Sequence, residues 1–593
     1  MPTQKIAFRR SSTIVTTLAC FLLGFLLTGC GDDTDRMRKI ESRKQARLQS
    51  KSRQDNLGEI YSLLPNYVTL NAGKVEQQIT YHLNEWRKGR FDDAKPVAPA
   101  KLMATMDHFA DDEQVVRRAS EMRFQLQDVS HLRDCFLFNA LNQWVNSEIR
   151  DDIVLKDWVD QQQTELGEEF GDQLRTATRL FDWTARNIAL EKELGDKSAG
   201  DKEPKFSKGM VFQGAGYRQT DFETVMRGIG DAWQRAAVFS QLCNQAQIDS
   251  AILATQSTET GEITPWCVGV FIGKQVYLFE PSLGIHVPGP DQIGIATLAQ
   301  ARSDASVIRR LNVPGFFEYP LSKTDVQQSV AILNFLPEAY SERMKQLESG
   351  LTGDRRMNVH TDVDSLAAKL DEFPGISGVR LWDVPLQSEV YRTEILKHCE
   401  RNPLFLFWYM SQWGFMDSGT GAGSELTSGR WDHLIGNFAD SEDQMEVGAR
   451  TKYLKQRNPE YEIADLQIDV ELQEAYGIRR ELGVSAEMYE LQVGQLQGLM
   501  RNGKRTATFW LGLLQYDDGK TDVARNWFSD RVLDKEQLLK RWESSARYNL
   551  GRTYELLGKF DQAIEIYKTD GDLQEHGNRV RARLVAKLTP SAK

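Results

Sequence analysis

The stretch of sequence that decides the fold is GIGDAWQRAAVFSQLCNQAQIDSA, residues 228–251. Its part from Trp233 to Asn244 predicts a helix, and a strand follows from Ser250 to Thr255. Two further apolar runs, Trp266–Ile272 and Gln275–Phe279, predict strands that a tight turn joins as a hairpin. The predicted unit is a helix packed on an antiparallel sheet, which is an α+β domain.

This stretch resembles the core of the transglutaminase-like superfamily, in which a Gly-Asp-Cys turn opens a helix that leads into a strand. Before it, Leu180-Phe181-Asp182-Trp183 looks like the preceding helix of the family. After it, Thr264-Pro265-Trp266 and Glu280-Pro281 look like the family motifs His-Ala-Trp and Asp-Pro. The resemblance covers residues 171–290 and implies the family's papain-like fold.

The family's chemistry requires a cysteine at a helix N-terminus, a histidine that activates it and a carboxylate that orients the histidine. At the matching positions this chain has Ala232, Thr264 and Glu280. The nucleophile and the base are both missing. The resemblance therefore implies a pseudoenzyme domain, and no catalytic residue is predicted.

Neighbouring residues do not replace the missing pair. Cys243 lies eleven residues beyond Ala232 on the same predicted helix, which is roughly 16 Å away at the rise of a helix. Cys267 is an odd number of residues from Thr264 and should face the other side of a regular strand. We expect both cysteines in the core, with a helix-to-strand disulfide as the alternative. His286 is expected in a loop without a catalytic role.

Three hypotheses for the function stay open. The helix and sheet leave a cleft that binds a peptide or a glycan without cutting it, with Trp233, Trp266 and Glu280 in its walls. Alternatively, the two indoles fill the cleft and it binds nothing. The third hypothesis is a thiol or acyl-transfer enzyme that uses non-standard catalytic residues, and it predicts one fast-reacting cysteine.

An internal repeat occupies the C-terminal part of the chain. Its spacing resembles tetratricopeptide repeats, in which small residues lie where antiparallel helices cross and aromatic residues fill the space between pairs. The resemblance implies a helical stack that presents a surface to a partner protein, with residues 461–500 as a capping helix pair. A plain helical bundle is the alternative. The recurring residues are Leu511-Gly512, Gly519, Ala524 and Phe528, followed by Leu550-Gly551, Gly558, Ala563 and Tyr567.

The N-terminal residues are typical of an exported bacterial lipoprotein. Lys5, Arg9 and Arg10 precede an apolar run that ends in the lipobox Leu27-Thr28-Gly29-Cys30. We expect cleavage before Cys30, acylation of its thiol, and attachment of the mature chain to a membrane outside the cytoplasm. Gly31 follows, where an Asp would resemble an inner-membrane retention signal, so the outer membrane is favoured. An uncleaved anchor helix is the alternative.

Basic residues dominate the segment that follows the lipobox. From Arg36 to Arg53 the chain carries one acid, Glu41, among eight basic side chains. This pattern predicts a solvated tether, with contact to anionic headgroups as the alternative. The net charge of the whole chain is -11, and without a basic patch beyond the tether nucleic acid is not an expected partner. The cysteines and histidines have no metal-site spacing, and no cofactor is predicted.

The chain of 593 residues is too long for one hydrophobic core. The predicted fold is multidomain and mainly α, with polar or Gly-rich breaks at residues 195–209 and 418–429. The favoured function is a non-catalytic binding or assembly protein of the cell envelope. The predicted segments are a signal peptide (1–29), a lipidated basic tether (30–56), a helical region (57–170), a degenerate transglutaminase-like domain (171–300), a second helical region (301–500) and tetratricopeptide-like repeats (501–593).

Overall fold

A computed structural model describes most of the chain after residue 54. The predicted signal peptide, the predicted lipobox with Cys30, the predicted tether up to residue 54 and the polar break at residues 195–209 lie outside the described residues. The chain forms two units, Met1–Glu59 and Ile60–Lys593, and the second contains nearly all of the described residues. The described residues are 55–91, 98–148, 150–191, 212, 214–257, 259–402, 424–442, 446–475, 478, 485–533, 540–569 and 571–588.

A mixed sheet with the strand order β6-β5-β4-β3-β7-β8 is the main β-structure of the second unit. The three predicted strands are confirmed as β3, β4 and β5, and Ile272 pairs with Gln275 across the predicted hairpin turn. A small parallel sheet pairs β1 with β2. The strands are β1 (Ala189–Leu190), β2 (Ile229–Gly230), β3 (Asp249–Gln256), β4 (Ile263–Ile272), β5 (Gln275–Glu280), β6 (Ile285–His286), β7 (Ser329–Leu333) and β8 (Ile376–Leu381).

Two of these strands correct the prediction. Both β7 and β8 lie in residues 301–500, which were predicted to be helical, and β8 is parallel to β7, so the sheet is not antiparallel throughout. The five residues of β7 are all buried. A buried strand of this length has no alternation of polar and apolar residues, and periodicity alone cannot distinguish it from part of a helix. The sheet thus continues beyond the predicted boundary at residue 300.

The chain is otherwise mostly helical, as predicted. The region before the sheet contains α1 (Asn56–Leu63), α2 (Ala72–Arg87), α3 (Ala100–Met103), α4 (Glu113–Ser120), α5 (Leu126–Glu148), α6 (Lys156–Leu166) and α7 (Glu168–Asn187). The helices between and after the strands are α8 (Asp221–Arg227), α9 (Ala232–Gln245), α10 (Leu298–Ser303), α11 (Ala305–Arg309), α12 (Glu342–Gly350), α13 (Val363–Asp371) and α14 (Val384–Arg401). The C-terminal helices are α15 (Ser424–Leu434), α16 (Ala449–Lys455), α17 (Glu460–Asp465), α18 (Val470–Ala475), α19 (Ala486–Asp517), α20 (Thr521–Asn526), α21 (Lys540–Leu556), α22 (Phe560–Tyr567) and α23 (Glu575–Val585).

Helix α9 is the predicted helix of the deciding stretch. Asp231 caps its N-terminus, since the carboxylate accepts hydrogen bonds from the backbone N–H groups of Trp233 and Gln234. The helix packs on one face of the sheet, where the ring centroids of Phe239 and Phe279 are 5.2 Å apart. Helix α9 therefore covers the face of the sheet on which the side chain of Phe279 lies.

The C-terminal repeat folds as two helical hairpins with equivalent internal contacts. A Cβ atom on Gly512 of α19 would lie 2.5 Å from the ring of Phe528, and one on Gly551 of α21 would lie 2.4 Å from the ring of Tyr567. Each aromatic ring therefore packs directly on the backbone of the preceding helix, and no larger residue fits at either glycine. The hairpins turn at the two repeat glycines with positive φ, Gly519 and Gly558.

Two predicted breaks between helical segments fall inside helices of the structure. Residues 424–429 of the Gly-rich loop belong to α15, and the boundary at residue 500 falls inside the continuous 32-residue helix α19. In an isolated sequence Gly429 reads as part of a break, but one glycine in a helix interior costs only about 1 kcal/mol relative to alanine, and packing overrides it. Within the described part of the chain, no helix combines the length and the apolarity that crossing a membrane would require.

Candidate functional site

The position that the family resemblance assigned to the nucleophile is at the start of α9, as predicted. Ala232 is the first residue of that helix and is buried. Its side chain is a methyl group, so this helix N-terminus carries no nucleophile. The sequence-based expectation for this one position agrees with the structure.

The other two triad positions lie on the opposite face of the sheet. Strand β4 contains a β-bulge, because Leu253 pairs with Cys267 but the next residue, Ala254, pairs with Pro265. The extra residue reverses the alternation of side chains. Thr264 and Cys267 therefore face the same side, which corrects the prediction made for a regular strand.

Glu280 shares that face. It follows Phe279, whose ring packs on α9, so its own side chain points to the other side. It accepts hydrogen bonds from the backbone N–H and the hydroxyl of Ser282, at 3.0 and 2.7 Å, and from the hydroxyl of Tyr319. The sheet thus separates Ala232 from the other two positions, and the predicted cleft that joins them is not formed.

The predicted aromatic walls of that cleft are separated as well. Trp266 is the bulged residue and lies buried in the core that also contains Cys267 and Leu278. Trp233 lies at the start of α9 and lines a cavity on another side of that helix. Of the three predicted cleft residues, Trp233 is the one that lines this cavity.

The two core cysteines are placed as expected. Burial raises the pKa of both thiols, Cys243 on α9 and Cys267 on β4, far above the ordinary range. They form no disulfide with each other, since they lie on opposite faces of the sheet. His286 is not in a loop but on the short strand β6, where burial lowers its pKa to about 4. A neutral, buried imidazole beside the ion pairs of Asp152 fits a structural role.

The cavity lined by Trp233 is the candidate site. It has a volume of about 330 Å³ and lies between α5, α9, α14 and the chain that follows β7. A second cavity of about 320 Å³ adjoins it, because Asn244, Asn334, Phe335 and Thr361 line both. A cavity of this size falls in the range of small-molecule sites.

Polar groups converge on the first cavity. The amide nitrogen of Asn334 donates to a carboxylate oxygen of Asp221 at 3.0 Å, and the side chain of Gln241 donates to the backbone carbonyl of Asn334 at 2.9 Å. The amide oxygen of Asn334 is buried and has no hydrogen-bond partner among the described residues. Burial raises the pKa of Asp221 to about 7. A buried acceptor without a partner is costly, so this wall is suited to a ligand that donates a hydrogen bond.

A thiol and an imidazole lie on the wall formed by α5. Cys135 Sγ is 3.5 Å from Nε2 and 4.0 Å from Nδ1 of His131, one helical turn earlier. Nε2 of His131 is also 2.8 Å from the carbonyl oxygen of Val359. Burial opposes the charged imidazole, but Cys135 and the Val359 carbonyl outweigh it and raise the pKa of His131 to about 10.

Sequence reasoning missed this pair. The only local signal was the spacing of four residues on a predicted helix, which places two side chains on one face. That signal is weak, because such pairs are common. The residues that complete the site, Asn334 and Val359, are about two hundred positions away along the chain.

Several ionic groups around the cavity are held in pairs. Arg118 lies 2.7 Å from carboxylate oxygens of both Glu338 and Glu389, and Arg392 lies 3.0 Å from Glu223. Paired charges of this kind shape the wall and leave amides and hydroxyls to recognise a ligand. Among the described residues, no group of three or more histidine, cysteine or acidic side chains is arranged to hold a metal ion.

No family model, curated protein or solved structure matches this chain. The chemistry of the site therefore rests on its own residues.

Proposed function

We propose that this protein is a membrane-anchored, non-catalytic binding protein of the cell envelope, and that the cavity between α5, α9 and α14 holds a peptide or a glycan. One observation carries the proposal. Amide, hydroxyl and carboxyl groups line the cavity together with aromatic side chains, and the buried amide oxygen of Asn334 in its wall has no hydrogen-bond partner among the described residues. Amide N–H groups of a peptide and hydroxyl groups of a glycan are donors of this kind.

The shape of the wall supports the same ligand class. Trp233 and Trp382 both pack against Gly216, where an added Cβ atom would lie 3.4 Å from each of the two side chains. The absence of a side chain at Gly216 thus leaves room for both tryptophans beside it, and all three residues line the cavity. Aromatic rings give large contact area at small entropic cost, and neighbouring amides then fix the orientation of the ligand.

The anchor is proposed from the sequence. The lipobox at Cys30 supplies a site for acyl chains, and two or three chains would hold the protein firmly on a membrane. The outer membrane is favoured by Gly31. The basic tether then places the second unit outside the cytoplasm.

The remaining parts fit a binding protein. The resemblance to transglutaminases is supported by the order of α7, α9 and β3 to β5, although the triad positions are not gathered, and Ala232 is no nucleophile. The equivalent contacts of Gly512 with Phe528 and of Gly551 with Tyr567 support a tetratricopeptide-like assignment. On this proposal the repeats offer a further surface to an envelope protein.

Calorimetric titration of the mature protein with soluble peptidoglycan fragments tests the proposal, because these fragments present both a glycan and a peptide. We expect saturable binding that Asn334→Leu and Trp233→Ala weaken at least about tenfold, the effect of losing one buried polar or aromatic contact. Trp527→Ala is the matched control, since Trp527 lines neither cavity.

Separate titrations with N-acetylglucosamine oligomers and with short peptides then identify the part that is recognised. No heat of binding for any of these probes at millimolar concentration, or equal weakening by the control variant, would contradict the proposal.

The competing function is an enzyme with non-standard catalytic residues. One observation favours it, namely the contact between Cys135 and His131 on the cavity wall.

A further inference from the structure

The wall of the cavity carries a nucleophile that the family resemblance does not assign. We propose that Cys135, with His131 as its proton partner, takes an acyl group from an ester or amide bound in the cavity. This inference rests on the proposed cavity as the ligand site, and it replaces the non-catalytic part of the proposed function because a covalent bond forms and another breaks.

The geometry brings the two groups together at a cavity. Both side chains line it, and they lie 3.5 Å apart at the closest nitrogen. The carbonyl oxygen of Val359 accepts a hydrogen bond from the same nitrogen, Nε2, at 2.8 Å. This bond orients the ring and leaves Nδ1, which is 4.0 Å from the sulfur, to take the thiol proton. A thiol in contact with an imidazole that is oriented by a third group is the arrangement that activates cysteine nucleophiles.

The same cavity contains a second, independent sign of a ligand. The amide oxygen of Asn334 is buried and has no partner within the described residues, and the residue lines both cavities. An amide substrate supplies an N–H group for such an acceptor. The carboxyl group of Asp221, which accepts from the Asn334 amide, adds a proton donor or acceptor beside it.

Two other cysteines of the described chain are unsuited to this chemistry. Cys243 and Cys267 are fully buried in the core and line neither cavity. Cys135 combines access to a cavity with a histidine contact. The proposal therefore predicts a single reactive thiol rather than general thiol reactivity.

The chemical step transfers an acyl group without an oxidant or a metal. The proton of the Cys135 thiol passes to Nδ1 of His131 as the sulfur attacks the carbonyl carbon of the ester or amide, and a carbon–sulfur bond forms. The bond from that carbon to the alcohol oxygen or amine nitrogen breaks, and the proton held by His131 moves to the departing group. The products are a thioester on Cys135 and a free alcohol or amine.

Alkylation of the native mature protein with iodoacetamide, followed by peptide mass spectrometry, tests the nucleophile without any ligand. We expect Cys135 to be labelled at least about tenfold faster than Cys399, which is similarly buried at 4% against 6% exposure. His131→Gln should slow the labelling of Cys135 at least about tenfold. His108→Gln is the control, since His108 lies outside the cavity lining.

Reaction with p-nitrophenyl acetate tests the acyl step. We expect a burst of one equivalent of p-nitrophenol and an acetyl group on Cys135, both absent from Cys135→Ser. Labelling of Cys135 no faster than Cys399, or a fast thiol that gives no acetyl adduct, would overturn the proposal. Peptidoglycan fragments binding equally to wild type and Cys135→Ser would show that the binding function stands when the covalent one fails.

Discussion

Asp221 gives the cavity a titration near neutral pH. Its pKa is raised by burial from 3.8 to about 7, while the Asn334 amide opposes this shift and nearby Asp134 adds to it. The folded protein therefore binds this proton more tightly than the unfolded chain. The stabilising contribution is complete below pH 4 and is lost as the pH rises to 7.

We expect Asp221→Asn to abolish the loss of folding stability that wild type shows as the pH rises from 4 to 7. Denaturant unfolding between pH 4 and pH 8 should show the variant gaining stability relative to wild type as the pH rises, by at most roughly 4 kcal/mol. Asp364→Asn is the control, because Asp364 is exposed on α13. A difference between Asp221→Asn and wild type that does not change with pH would contradict the titration.

The contact between Gly512 and the ring of Phe528 leaves no room for a side chain at position 512. A methyl group there would meet the ring of Phe528 at 2.5 Å, whereas at Gly494 on the same helix it would meet nothing within 4 Å. We expect Gly512→Ala to lower the free energy of unfolding by about 1 to 3 kcal/mol. Gly494→Ala should raise it by up to about 1 kcal/mol. Thermal melts in which both variants shift the same way would show that the hairpin contact is wrong.

At the scale of elements, a buried ionic cluster joins the C-terminal helices to the chain between α5 and α6. The guanidinium of Arg581 on α23 donates to both carboxylate oxygens of Asp152, at 3.0 and 2.8 Å, and to both of Glu555, at 2.7 and 2.6 Å. All three groups are buried. Burial favours the neutral acid, but Arg581 and Arg552 hold the pKa of Asp152 well below its usual range.

Breaking this cluster should be costly, since two carboxylates would be left buried without their main partner. We expect Arg581→Leu to lower the free energy of unfolding by about 3 to 5 kcal/mol. Arg525→Leu should cost less than about 1 kcal/mol, because its partner Asp522 is exposed. Urea unfolding of the two variants measures both effects, and equal losses would refute a structural role for the cluster.

The elements differ in how far the sequence predicts them. Strands β3 to β5 are recognisable because turns separate short β-rich runs, and α9 because its helix formers are continuous. The bulge at Trp266 is a single added residue that the composition of the strand does not indicate. It nevertheless moves the side chain of Thr264 to the opposite face of the sheet. Strand β7 lacks alternation and is recognisable only from its neighbours in the sheet. The bulge in β4 and the strand β7 both depend on contacts between distant parts of the chain, which a local sequence pattern does not contain.

At the scale of the whole molecule, the proposed location requires attachment through Cys30. We expect Cys30→Ser to abolish metabolic labelling with palmitate and to release the protein from the membrane fraction. Cys20→Ser is the matched control, because Cys20 lies inside the apolar run that precedes the lipobox. Unchanged labelling of the Cys30 variant would show that the anchor is elsewhere.

The candidate site was only partly predictable from sequence. Trp233 and the start of α9 were placed beside a binding cleft, and they do line a cavity. The other walls, α5 and α14, come from segments about one hundred residues before and one hundred and fifty residues after α9. Nothing in a local pattern brings His131 and Asn334 together, because their proximity depends on the complete fold.

The central claim is that ligands are recognised between α5, α9 and α14 and not at the family's triad positions. Hydrogen–deuterium exchange of the mature protein, with and without soluble peptidoglycan fragments, tests this most directly. We expect slower exchange in residues 126–138, 216–234 and 382–393, with no change in residues 263–280. Protection confined to residues 263–280, around Thr264 and Glu280, would contradict the claim.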